Sequence, residues 1–245
     1  LGRILVLSDA AHSLGAIYNG KSTGSLCDIT VFSFHAVKNL TTAEGGAIAF
    51  NLPESFDNEE VYKFCNIFGL HGQSKDALAK LSGKASWKYD VIMPGYKVNM
   101  TDMQAAMGIV ELRRYREDTL QKRKAIFEYY QTAFAKYDWA ISPTCRDKKS
   151  ESSYHVYLLR IKNISEEIRD NMIIDIFGSE VSVNVHFQPL PLLSAYKYLG
   201  YRMQDFPVAY ANYANEISLP VFYDLTEEMC QQVVEAVVHA YNQIK

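Results

Sequence analysis

Cysteine is sparse in this 245-residue chain, and the four present (Cys27, Cys65, Cys145 and Cys230) stand far apart. No pair has the spacing of a metal-binding motif, and the count is too low for a disulfide-built scaffold. They read as reduced thiols of a cytoplasmic protein. Positive charge is not in excess either: 25 Lys and Arg stand against 28 Asp and Glu, a net charge of −3. A broad nucleic-acid or anionic-membrane surface, which needs clustered cations, is not expected. No apolar run approaches the roughly 20 residues of a membrane span. Internal repeats and low-complexity tracts are missing too, which excludes solenoids and disordered arrays. The first residues show no signal-peptide pattern. Residues 4–7 (ILVL) read as a buried strand with nothing before it to pair with, so further chain is expected upstream.

What is present suits a soluble globular protein of one large domain or two modest ones: 48% hydrophobic and 22% charged residues. Short apolar runs at residues 4–7, 28–34 (DITVFSF) and 45–50 (GGAIAF) predict strands of a sheet buried on both faces. Residues 59–70 predict a helix with Tyr62, Phe64, Cys65 and Phe68 on apolar positions. Residues 72–94 are polar and lack a pattern, which predicts a long loop. Thr101 with Gln104 three residues on forms a capping-box signature, opening a long helix that runs to about Ala135. Beyond it, residues 154–161 (YHVYLLRI) and 181–187 (VSVNVHF) alternate as strands do. Ser165 caps a helix with Glu166 and Glu167 in its first turn, and a last helix covers about 226–243. The expected division is an α/β domain over 1–135, ending in the long helix, and a smaller α+β domain over 136–245.

Two residues draw chemical attention. Lys38 follows a strand in a short loop before Gly45 and Gly46, and Asp9 closes another apolar strand. Alone, each has an ordinary reading, a solvated lysine and a turn aspartate. In a parallel sheet, however, strand ends converge on one crevice where ligands bind. An aspartate and a lysine in one crevice are what pyridoxal phosphate (PLP) needs: an amine for its aldehyde carbon and a carboxylate for its ring nitrogen.

The segment from Ser8 to Phe50, SDAAHSLGAIYNGKSTGSLCDITVFSFHAVKNLTTAEGGAIAF, closely resembles the cofactor segment of the DegT/DnrJ/EryC1/StrS family. Four later blocks are similar in the same order: PGYKVNMTDMQAAMGIVEL, SYHVYLLRI, VHFQPLP and SLPVF. The resemblance implies a partial fold-type I PLP-transferase domain, mostly parallel sheet with helices, followed by the smaller domain. It implies a homodimer with shared active sites, an amino-acid donor (commonly glutamate) and a nucleotide-linked keto-deoxysugar as acceptor.

By the same resemblance, Lys38 is the Schiff-base lysine and proton shuttle, and Asp9 the partner of the pyridine nitrogen. His12 lies near the ring hydroxyl, and Ser33 binds the phosphate. Asn99 reaches the phosphate of the partner subunit's cofactor, although many relatives place that Asn where this chain has Lys97. His186 is a substrate-side histidine, whereas Tyr154 and His155 read as structural, and Glu44 is a loop acid without a catalytic role. Tyr210 stands where relatives often have Glu. Two other readings remain: a PLP sugar dehydratase, in which histidine replaces the lysine that Lys38 supplies, and a non-catalytic dimerising or regulatory remnant.

Overall fold

The computed structural model describes residues 2–74 and 89–244. The chain divides into two compact units, Leu1–Tyr115 and Arg116–Lys245. The division falls inside the long helical run, upstream of the boundary expected at 135.

In the first unit, β1 (Leu7–Asp9) pairs in parallel with β4 (Ile29–Ser33), and β4 pairs antiparallel with β5 (Gly46–Phe50). β2 (Ile17–Tyr18) and β3 (Lys21–Ser22) form a small hairpin between β1 and β4. The register Leu7↔Ile29 to Asp9↔Val31 places the C-terminal ends of β1 and β4 on one side. Among the described residues nothing buries the sheet on both faces, although its apolar composition suggested such burial. Ile4 is 87% exposed, Leu7 62% and Ile48 50%. An apolar run shows that a strand can be buried, not that something covers it. Among the described residues β1 is an edge strand, and its outer side chains stay uncovered.

Helix α1 (Asn58–Gly69) is capped by Asp57, whose carboxylate accepts the Glu59 and Glu60 N–H groups. The helix falls where the sequence predicts it, with Tyr62 and Phe64 exposed. Of the predicted loop over 72–94, residues 75–88 lie outside the described residues. The flanking parts pair through a bridge, Gln73↔Val91. Helix α2 (Asp102–Arg114) opens with the full capping box of Thr101 and Gln104. A π-helical turn, Tyr115–Thr119, follows it and leads into α3 (Leu120–Phe134).

In the second unit, β6 (Ala140–Ile141), β8 (Tyr157–Ile161) and β9 (Glu216–Leu219) form an antiparallel sheet in the order β6-β8-β9. The strand predicted from 154 begins only at Tyr157 because Tyr154 adopts φ 53°, a left-handed conformation that interrupts extended chain. The two-residue β7 (Ser150–Glu151) precedes it. Ser165 caps α4 (Glu166–Gly178) at the predicted helix start, and Thr226 caps α7 (Glu227–Gln243), the last helix, within its expected bounds. The short helices α5 (Ser194–Tyr198) and α6 (Pro207–Tyr213) lie between them. Residues 181–187 do not form the expected strand. Val181 and Val183 are buried in alternation, but only Asn184 bridges to Ser218. Alternating burial therefore arose without a hydrogen-bond ladder.

The core of this unit gathers Phe127, Tyr130 and Phe134 from α3, Tyr157, Leu159 and Ile161 from β8, and Val233 and Val237 from α7. Phe127, Tyr130 and Tyr157 meet edge to face at 5.1 Å between ring centroids, the arrangement favoured by ring quadrupoles. Among the described residues no helix is long and apolar enough to cross a membrane.

Candidate active site

The candidate site grows from the matched ends of β1 and β4. Asp9 closes β1, and one of its carboxylate oxygens accepts the Ala11 N–H at 3.1 Å. Ala10, 1% exposed, anchors this turn by donating its N–H to Val31 of β4 at 2.8 Å. A second turn, Ser13 N–H to Ala10 carbonyl at 3.0 Å, carries His12 outward.

The loop after β4 is closed at its base. Phe34 N–H donates to the Gly45 carbonyl and Thr42 N–H to the Phe34 carbonyl, at 2.8 and 2.9 Å. Gly45 and Gly46 are needed there. A Cβ at Gly45 would stand 2.4 Å from Thr42 Oγ1, and one at Gly46 would stand 2.7 Å from the Phe32 carbonyl. Leu40 and Thr42 are buried inside the loop, so its outer residues are set by a packed base. Gln104 of α2 ties the same loop down by donating to the Glu44 carbonyl at 2.9 Å. Within it, Lys38 N–H donates to the His35 carbonyl at 2.9 Å, a turn that presents the Lys38 side chain.

Lys38 Nζ lies 2.7 Å from His12 Nε2. Partial burial and the nearby Lys38 cation lower the His12 pKa, and Asp9 opposes them. The lowered pKa favours the neutral ring, whose unprotonated nitrogen can accept an N–H from Lys38. Asp9, His12 and Lys38 thus form one group of carboxylate, imidazole and amine. Ser33, at the end of β4, accepts the His35 N–H through its hydroxyl at 3.4 Å. Lys97 donates to Asn99 Oδ1, and Asn99 donates to the Met100 carbonyl at 3.3 Å. Among the described residues neither Lys97 nor Asn99 bonds to Asp9 or Lys38.

Two residues absent from the sequence reading link the segments that carry His12 and Lys38. Asn39 donates its amide to the Tyr115 hydroxyl at 3.1 Å, and Tyr115 donates to the Leu14 carbonyl at 2.6 Å. Nothing in the local sequence marks Tyr115. Asn39 has only its place beside Lys38 to recommend it.

His186 belongs to the second unit. Its N–H donates to Glu216 Oε2 at 3.0 Å, and its Nδ1 lies 2.7 Å from Ser218 Oγ, which donates to Glu216 Oε1 at 2.5 Å. Glu216 is 4% exposed, and burial raises its pKa against the hydrogen bonds from Ser218 and His186 and the nearby Arg169. Sequence reasoning missed Glu216 and Ser218. The available signal was two polar residues in alternation within a fully buried strand. Arg160, His186, Phe187, Asn212 and Tyr213 line a cleft of about 430 Å3. Tyr210 donates its hydroxyl to Glu166 at 2.9 Å.

Residues 2–238 match the DegT/DnrJ/EryC1/StrS aminotransferase family, and the chain belongs to that family. The spore coat polysaccharide biosynthesis protein SpsC of Bacillus subtilis is 36% identical over 96% of this chain and 59% of its own length. The UDP-4-amino-4,6-dideoxy-N-acetyl-beta-L-altrosamine transaminase of Campylobacter jejuni is 29% identical over 99% of the chain and 60% of its own. Among solved structures, the PMP-form of Spr1654 from Streptococcus pneumoniae superposes with a TM-score of 0.92 at 43% identity. That superposition covers 99% of this chain and 60% of Spr1654, which has also been solved in a PLP-form. The chain thus spans about three-fifths of the length of these relatives.

Proposed function

We propose that this chain carries the lysine-bearing part of a fold-type I, PLP-dependent sugar aminotransferase. In this reading an amino group passes from an amino-acid donor, glutamate, to the keto carbon of a nucleotide-linked deoxysugar. The observation that carries it is the 2.7 Å approach of Lys38 Nζ to His12 Nε2, beside Asp9 at the neighbouring strand end.

The side chains present fit the cofactor. Lys38 offers the amine, Asp9 a carboxylate with one oxygen unbonded among the described residues, His12 an imidazole with its neutral form favoured and Ser33 a hydroxyl. Asp9 would hold the ring-nitrogen proton, His12 the ring-hydroxyl side and Ser33 the phosphate. Asn99 or its neighbour Lys97 would serve the phosphate of a partner subunit's site. When bound, PLP supplies an electron sink for the pair left as a C–H bond breaks. Lys38 moves the proton, taking it from one carbon and returning it to another, which requires the amine in its neutral form. His12 accepts the Lys38 N–H and so orients the amine. His186 hydrogen-bonds the sugar substrate, with its ring held by Ser218. The family relationship and the likeness to transaminases of modified sugars support this reading, as does the fold shared with Spr1654. A cytoplasmic homodimer with shared sites is part of the proposal.

The test is nitrogen transfer from isotope-labelled glutamate to a nucleotide-linked keto-deoxysugar, followed by mass spectrometry. The expected product is a labelled amino sugar, and Lys38→Ala lowers its rate by roughly 10²–10⁴-fold or more. Loss of water without nitrogen gain would contradict the proposal, as would equal rates in the two proteins.

A further inference from the structure

The loop carrying Lys38 and the turn carrying His12 are joined by a buried bridge. Asn39, directly after Lys38, is 9% exposed, and Tyr115 is 4% exposed. The Tyr115 hydroxyl accepts from the Asn39 amide at 3.1 Å and donates to the Leu14 carbonyl at 2.6 Å. One phenol oxygen therefore fastens the residue after Lys38 to the segment that follows His12. Tyr115 is also the first residue of the π-helical turn Tyr115–Thr119. A π turn inserts extra chain into a helix and redirects the side chains around it, and such turns are frequent at functional sites.

We infer that Asn39 and Tyr115 are positioning residues that hold the Lys38 amine against the His12 imidazole. Lys38 is half-buried and His12 lies at the surface, whereas Asn39 and Tyr115 are in the packed interior. A fixed phenol oxygen with one donor and one acceptor partner defines the spacing between the two backbone segments. The consequence for catalysis rests on the aminotransferase reading; the geometry of the bridge does not. Misplacing a reacting group by about 1 Å can cost on the order of 10²-fold in rate.

Tyr115→Phe keeps the ring and removes only the oxygen. Two readouts separate positioning from a merely structural role. In the cofactor-free protein, histidine NMR should show the His12 titration midpoint rising as the Lys38 cation moves away. In the PLP-loaded protein, kcat should fall by about tenfold or more while KM for the amino donor changes little. An unmoved His12 midpoint overturns the inference, as does a raised midpoint with wild-type kcat. If Tyr115→Phe fails to fold, Asn39→Ala decides by the same readouts. If the wild-type protein takes up no PLP, the aminotransferase reading fails separately. The His12 midpoint then still decides the bridge: a rise in either variant upholds it, and no change removes it.

Discussion

Asp28 shows how strongly one residue can tie stability to pH. The Arg3 guanidinium bonds both of its oxygens, at 2.7 and 2.5 Å, and the Val6 N–H adds a third bond at 2.7 Å. Together they hold the Asp28 carboxyl at about 2. A carboxylate depressed in the folded state stabilises above its unfolded pKa of about 3.9 and loses that contribution as pH falls toward its folded value. The thermal midpoint should therefore drop between about pH 4 and pH 2. Asp28→Asn should flatten that part of the curve; an equally steep acid limb in the variant would contradict the assignment. This ion pair was invisible in sequence because its partners are 25 residues apart. The same holds for Asn39 and Tyr115, 76 residues apart, whereas Asp9 and Lys38 stand out by their places at strand ends and by family likeness.

Helix starts are the elements most readily read from sequence, because capping is local chemistry. Thr101 and Ser165 each accept the N–H three residues on, at the helix starts that the sequence predicts, and Thr226 does the same at the start of the last helix. Thr101→Ala should cost about 1 kcal/mol in denaturant unfolding, with the m-value unchanged. An effect near zero would mean that the Gln104 bond to Glu44, rather than the cap, holds the start of α2. Strands were less legible because pairing and burial depend on distant chain. The apolar residues around β1 proved exposed, and residues 181–187 alternate in burial yet make one bridge. Tyr154, in its left-handed conformation, trimmed the predicted strand by a device that composition does not reveal.

At the scale of the whole molecule, the two units are built differently. The second has the continuous aromatic and aliphatic core, in which Leu159, Ile161 and Val237 are fully buried. Leu159→Ala should destabilise it by about 2–5 kcal/mol, from lost burial and the cavity left behind, as measured by chemical unfolding. A cost below about 1 kcal/mol would mean that the core is far less tightly packed than its burial indicates. The first unit instead has the three-stranded sheet β1-β4-β5 and the group of Asp9, His12 and Lys38. The functional reading depends on that group, in which Lys38 is proposed to bond covalently to PLP. Borohydride reduction of the protein incubated with PLP, followed by peptide mass mapping, tests this directly. The account predicts one pyridoxyl group on the peptide containing Lys38 and none after Lys38→Ala; a label on other lysines in place of Lys38, or no label at all, would contradict it.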